Sequence, residues 1–172
     1  MEMFMYEVDG DRTNVYIREF DDVKELNDKL ADFICSFKDQ KDPNTNINSF
    51  QTPWLIGSPE TEIILSKVMD MLNTSKALSP NKEWKLWNMF GNVYKTGQSN
   101  NIHAHPANEF SFNYFVKCPP NSAPLVLTTS GEEIEAVEGK LVVFSGHLKH
   151  HVPISNHEGK RITLAGNIRR IN

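Results

Sequence analysis

A chain of 172 residues with 39% apolar and 23% charged side chains has material for one packed core and is too apolar for wholesale disorder. With 18 basic against 22 acidic residues the net charge is −4, so no global basic field holds a phosphate backbone and general nucleic-acid binding is disfavoured. No apolar run approaches the ~18–20 residues that cross a bilayer.

The N-terminal MEMFMYEVDGDR carries acids where a secretory signal carries basic residues, which makes a cytoplasmic location the expectation. Phe4, Tyr6 and Val8, then Val15 and Ile17, alternate around Asp9-Gly10-Asp11 and predict a hairpin. From Asp21 the period lengthens: Val23, Leu26, Leu30, Phe33, Ile34 and Phe37 share one helical face, with Asp21 or Asp22 as the expected N-cap. Lys38 to Ser58 is polar and reads as an irregular connection with a short strand near Phe50 to Leu55. Ser58-Pro59-Glu60 opens a second helix, with Ser as N-cap and Pro at the first helical position, packing through Ile63, Ile64, Val68, Met71 and Leu72.

After Pro80, short runs rich in aromatic and β-branched residues recur between turn signals: 84–94, 109–118, 125–129, 133–137, 141–144 and 161–169. Such spacing suggests a small barrel or double-sheet jelly roll with the helices outside one sheet. The chain reads as one domain over 1–172, with a hairpin and supporting helices in 1–83 and the β-rich core in 84–172. Cys35 and Cys118 stand far apart without a C-x-x-C pair and read as buried thiols of a reducing compartment. Trp54, Trp84 and Trp87 read first as core residues and second as rim aromatics.

All six histidines fall between 103 and 157. On a strand, His103 and His105 project from one face and converge on one point. A second cluster, FSGHLKHHVP, delivers His150 from a buried strand, and Arg161 follows eleven residues later. Imidazoles without thiolates suit Fe(II), Mn, Ni or Zn, and an arginine beside such a metal is a fork matched to a carboxylate, so an organic-acid cosubstrate is implied. His147 and His151 read as polar surface neighbours of the ligand, and His157, in the Asn156 to Gly159 turn, as solvated.

With Y-K-T-G-Q-S-N-N-I-H-A-H, F-S-G-H-L-K-H-H-V-P and K-R-I-T-L-A-G-N in place, the stretch from Tyr94 to Asn167 resembles the Fe(II)/2-oxoglutarate-dependent oxygenases. Within them it is similar to the short oxygenases frequent in phage and bacterial genomes. The resemblance implies an α+β, mainly β fold: a double-stranded β-helix, jelly-roll and cupin-like, with N-terminal helices on one sheet. It implies Fe(II) and 2-oxoglutarate as cofactors, dioxygen as co-reactant, and hydroxylation of an unidentified prime substrate with release of succinate and CO2. His103 takes the first ligand position, His150 the distal one and Arg161 the cosubstrate clamp. Tyr94, Asn113, Tyr114 and Thr163 fall at positions that often touch the cosubstrate.

The family's usual carboxylate after the first histidine is here His105. Three readings stay open: a three-histidine centre, a centre completed by Glu109, and a catalytically silent binding or assembly module. A neutral third ligand leaves the iron one charge more positive and favours a dianionic cosubstrate. The pattern G-x5-H-x-H-x3-E also admits a cupin-type metalloenzyme, although the cupin's following glycine and P-x-G element are missing and it has no use for Arg161. Prime substrate and self-association are left open by the sequence.

Overall fold

Two amphipathic helices and a set of short antiparallel strands account for most of the chain in the computed structural model, which describes residues 1–8, 11–37, 48–154 and 156–171. The first strands, β1 (Glu2–Val8) and β2 (Asp11–Glu19), pair antiparallel as expected, while the turn residues Asp9 and Gly10 lie outside the described residues. Helix α1 (Lys24–Ser36) starts later than expected. Its N-cap is Val23 with no side-chain cap, because Asp22 takes the left-handed backbone (φ 54°) and neither aspartate serves as cap.

The ten residues 38–47 of the polar connection lie outside the described residues; it ends in β3 (Phe50–Gln51). Helix α2 (Pro59–Thr74) begins as its sequence dictates. Ser58 accepts from the Thr61 backbone N–H and the Thr61 hydroxyl accepts from that of Ser58, a reciprocal cap worth about 1 kcal/mol. Then come β4 (Glu83–Tyr94), β5 (Asn100–His103), β6 (Phe110–Lys117), β7 (Leu125–Leu127), β8 (Glu132–Ile134), β9 (Lys140–Ser145), β10 (His150–Val152) and β11 (Arg161–Ile171).

The strands form two sheets, ordered β1-β2-β9-β6-β11-β4-β3 and β5-β10-β7-β8. The N-terminal hairpin therefore extends the larger sheet of the core. Strand alternation sorts side chains between two apolar layers. On the outer face of the larger sheet, Leu30, Ile34, Ile64, Val68, Met71 and Leu72 of the helices meet Phe112, Tyr114, Val143, Leu164 and Ile168. Each such burial contributes roughly 1.5–3 kcal/mol. Gly91 sets the distance of α1, since a Cβ there would stand 2.7 Å from Ile34 Cγ1.

Between the sheets, Val15, Phe115, Val142 and Phe144 meet Leu125, Leu127, Leu148 and Val152. Polar side chains, Asn92, Asn100, Ser111, Asn113 and Asn167 among them, interrupt this inner layer around one cleft, and there the site lies. Among the described residues no helix is long and apolar enough to cross a membrane.

Candidate metal centre

His103 ends β5 and lies directly opposite His150 across the β5–β10 pair, their ring centroids 4.3 Å apart. His105 stands beyond the end of β5, so strand alternation does not place it. Its backbone N–H donates to the Gly146 carbonyl at 2.7 Å, which brings its ring to 4.9 Å from that of His103 and 5.4 Å from that of His150. The three imidazoles can each offer one nitrogen within 4.8 Å of the others, the spacing of ligands around a single ion.

Their second nitrogens fix the tautomers of two rings. His103 Nδ1 donates to the Asn101 carbonyl at 2.7 Å and His150 Nδ1 to that of Leu148 at 2.8 Å, leaving Nε2 as a free lone pair in each. Burial holds His150 down to about 3, with the neighbouring His103 adding to the shift. Burial and then His103 bring His105 to about 4, and burial lowers His103 as well. All three rings are neutral near neutral pH and can accept a metal without first losing a proton. Phe144 packs edge-on against His150 at 4.8 Å and closes its inner side.

Glu109 points elsewhere: one carboxylate oxygen accepts from the Arg170 backbone N–H at 3.3 Å and the other lies 3.9 Å from Arg170 Nε. The fourth ligand that the cupin reading requires, and the alternative third ligand of the oxygenase reading, is thereby turned away.

The cleft beside the histidines runs between the sheets and is lined by Tyr94, Asn92, Asn100, Asn113, Ser111 and Asn167. Arg161 lies beyond Tyr94, 1% exposed, its guanidinium 5.0 Å from the Tyr94 ring centroid and 5.3 Å from that of Phe115. Its Nε donates to the Ala123 carbonyl at 3.0 Å, but Nη1 and Nη2 have no partner among the described residues. A buried cation without an anion costs several kcal/mol, and burial accordingly lowers the affinity of this guanidinium for its proton. Two unpaired parallel donors fit a carboxylate. Thr163, buried at 1%, follows Arg161 on the same face of β11.

Tyr114 is the site residue that the structure relocates. It belongs to the helix-side layer and donates its hydroxyl to Asn27 Oδ1 at 2.7 Å, because its neighbour Asn113 takes the pocket face and one step along a strand reverses the side. Among the other histidines, His147 is exposed as expected and His151 contacts the Thr128 hydroxyl at 3.1 Å. His157 is not solvated: it is 1% exposed, its Nε2 donates to the Tyr94 carbonyl at 3.2 Å, and its own carbonyl accepts from Thr96 Oγ1.

Sequence reasoning passed over Asn88, Asn92, Asn100, Ser111 and Asn167. Asn88 and Asn92 nevertheless stand out on β4, since asparagine is depleted from strand interiors.

No protein-family model matches the chain, and no curated protein matches it in sequence. Solved structures do. A viral collagen prolyl hydroxylase from Paramecium Bursaria Chlorella virus-1, in complex with 2-oxoglutarate, is similar with a TM-score of 0.75 at 17% identity, over 92% of this chain and 96% of that one. A prolyl-4-hydroxylase from Pseudomonas putida gives 0.72 at 18% identity, over 92% and 93% of the two chains. HygX from Streptomyces hygroscopicus, with nickel and 2-oxoglutarate bound, gives 0.62 at 11% identity, over 90% and 82%. The architecture is thus the double-stranded β-helix of the 2-oxoglutarate- and Fe(II)-dependent oxygenases. Solved structures of this fold include prolyl hydroxylases that the chain spans over more than nine-tenths of their length.

Proposed function

We propose that this protein is an Fe(II)- and 2-oxoglutarate-dependent hydroxylase in which His103, His105 and His150 hold the metal. The carrying observation is Arg161, a fully buried guanidinium with two nitrogens unpaired among the described residues, set against Tyr94, whose ring lines the cleft that bears three neutral imidazoles. A dicarboxylate that chelates a metal through one end and pairs with a cation through the other accounts for both features.

The donor set fits iron: three borderline nitrogen ligands on one side of an ion leave its remaining positions free for cosubstrate and oxygen. When bound, Fe(II) supplies the redox chemistry that couples decarboxylation of 2-oxoglutarate, to succinate and CO2, with hydroxylation of the prime substrate. The chain's own residues bind and orient. Arg161 pairs with the distal carboxylate; Tyr94 covers the guanidinium with its ring and excludes water from the pair. Asn113 Nδ2, buried without a partner among the described residues, donates to a cosubstrate oxygen, and Thr163 lines the same face. The likeness to a collagen prolyl hydroxylase supports a polypeptide as prime substrate.

The test is anaerobic addition of Fe(II), then 2-oxoglutarate, to metal-free protein, following the visible charge-transfer band of the chelate. The band is expected in the wild type and in Glu109→Gln, and is expected to be lost in His105→Ala and His150→Ala. A band that survives His105→Ala refutes the three-histidine centre; metal binding without any band refutes the cosubstrate assignment.

A further inference from the structure

Two residues beyond Asn167 on the pocket face of β11, roughly 7 Å along the strand, stands Arg169. Its guanidinium carbon lies 3.6 Å from the centroid of the Trp87 ring. The register between β11 and β4 runs Asn167↔Asn88 and then Ile168↔Leu86, which leaves Trp87 as the extra residue of a bulge. Bulges re-aim side chains beside active sites, and here the bulge turns out a 48% exposed indole that the strand would otherwise pair. The wall between this indole and the metal cleft is a hydrogen-bonded chain: Ser111 Oγ donates to Asn167 Oδ1 at 2.6 Å, and Asn167 Nδ2 to Asn88 Oδ1 at 2.7 Å.

Trp87 and Arg169 border a cleft of about 390 Å³ with apolar walls, Leu55, Leu86 and Ile171, and the cations Lys85 and Arg170 at its rim. Leu55 is 73% exposed. Arg170 is already occupied by Glu109. Neither Lys85 nor Arg169 has an ion-pair partner among the described residues, and Arg169 Nε is buried there without an acceptor. On a chain of net charge −4, an apolar cleft with two uncompensated cations is complementary to one or two carboxylates beside an apolar group.

A nucleic acid fits less well. One face of Trp87 is covered by Arg169 and withheld from base stacking, Glu83 pairs with Ile171 at the far end of the same strands, and Arg170, the remaining cation of the cleft, is taken by Glu109.

We propose that the prime substrate is a polypeptide segment that carries an acidic residue near the one to be oxidised, and that the Trp87–Arg169 cleft seats it, with Arg169 and Lys85 pairing to the acid. This rests on the oxygenase reading of the metal cleft. Along β11 the Trp87–Arg169 cleft begins two residues beyond Asn167, where the metal cleft ends.

The experiment is fluorescence anisotropy with a labelled copolymer of glutamate and tyrosine on metal-free protein, so that binding is read without turnover. Saturable binding is expected. It weakens by about tenfold in Arg169→Gln, recovers in part in Arg169→Lys, and weakens in the exposed variant Lys85→Gln, whose fold is not at risk. An unlabelled copolymer of lysine and tyrosine is expected not to compete. Equal binding by wild type, Arg169→Gln and Lys85→Gln overturns the proposal, as does displacement by oligodeoxythymidylate at concentrations where the acidic copolymer fails. An iron–cosubstrate band without copolymer binding sinks the cleft and leaves the oxygenase reading standing. Copolymer binding lost on Lys85→Gln in a protein that never gives the band does the reverse.

Discussion

The backbone N–H of His105 donates to the carbonyl of Gly146 at 2.7 Å, and with the bond from the Gly146 N–H to the Glu109 carbonyl at 3.0 Å it joins the loop after β5 to the loop before β10. It places the third imidazole, which the strand geometry of its neighbours does not. The approach demands glycine: a Cβ at 146 would meet the His105 carbonyl oxygen at 2.6 Å and press still closer on that of Asn108. Gly146→Ala is therefore expected to push His105 out of the ligand group while both sheets persist. Metal affinity should fall by about tenfold or more, the cost usual for disturbing the supports of a ligand. Isothermal titration with Mn(II), beside an unchanged far-ultraviolet spectrum, checks it. Undiminished affinity would show that two histidines suffice.

Arg161 makes opposite predictions for stability and for binding. Without cosubstrate, its buried unpaired guanidinium opposes folding, so Arg161→Met should stabilise the apo-protein by about 1–4 kcal/mol, as removal of buried charge often does. The same change should weaken 2-oxoglutarate binding by about 2–4 kcal/mol, because the distal carboxylate is left buried and alone. Thermal melts with and without 2-oxoglutarate, in Mn(II), read both at once. The wild type should rise on addition; the variant should start higher and stay there. A variant that melts lower than the wild-type apo-protein contradicts the account.

The fold and the grouping of His103, His105 and His150 were legible because their signals are local or spaced by strand and turn chemistry. Ser58-Pro59 marks a helix start on its own, and Arg161 opens a strand whose apolar run declares it, whereas His103 and His150 stand out by motif spacing, since their short strands, NNIH and HHV, carry no apolar run. What escaped depends on contacts distant in sequence. His157 sits in a polar turn, yet Tyr94, 63 residues earlier, presents the carbonyl that buries it. Trp54 and Trp87, at 46% and 48% exposure, look like core residues by size, and only the bulge in β4 turns Trp87 outward. For Tyr114 the error is one of parity, since motif matching finds the strand but does not say which of two neighbours faces inward.

That parity is open to test. Tyr114 hydrogen-bonds Asn27, a 0% exposed residue of α1 whose Nδ2 already lacks a partner among the described residues. Tyr114→Phe strands the Asn27 amide oxygen in the core, at a cost of about 1–3 kcal/mol. Its 2-oxoglutarate affinity should be unchanged. Asn113→Ala should do the reverse, with little loss of stability and weaker cosubstrate binding. Denaturant melts and cosubstrate titrations on the two variants separate the faces, and weaker binding in Tyr114→Phe would return that residue to the site.

Asp28 ties α1 to the larger sheet, its carboxylate 2.7 Å from Lys117 on β6 and 2.7 Å from Lys24 on its own helix. The hydrogen bond from Lys117, then that from Lys24, hold its carboxyl down from 3.8 to about 2. A carboxyl depressed in the folded state releases its proton more readily there than in the unfolded chain. Its contribution is thus complete above the unfolded value and is lost as pH falls from about 4 to about 2. The melting-temperature difference between wild type and Asp28→Asn should accordingly be constant at neutral pH, shrink through that window and vanish below it. Because Asp28 itself is exposed to solvent, added salt should shrink it too. A difference that persists below the window would mean that Asp28 acts through packing of its side chain rather than through its charge.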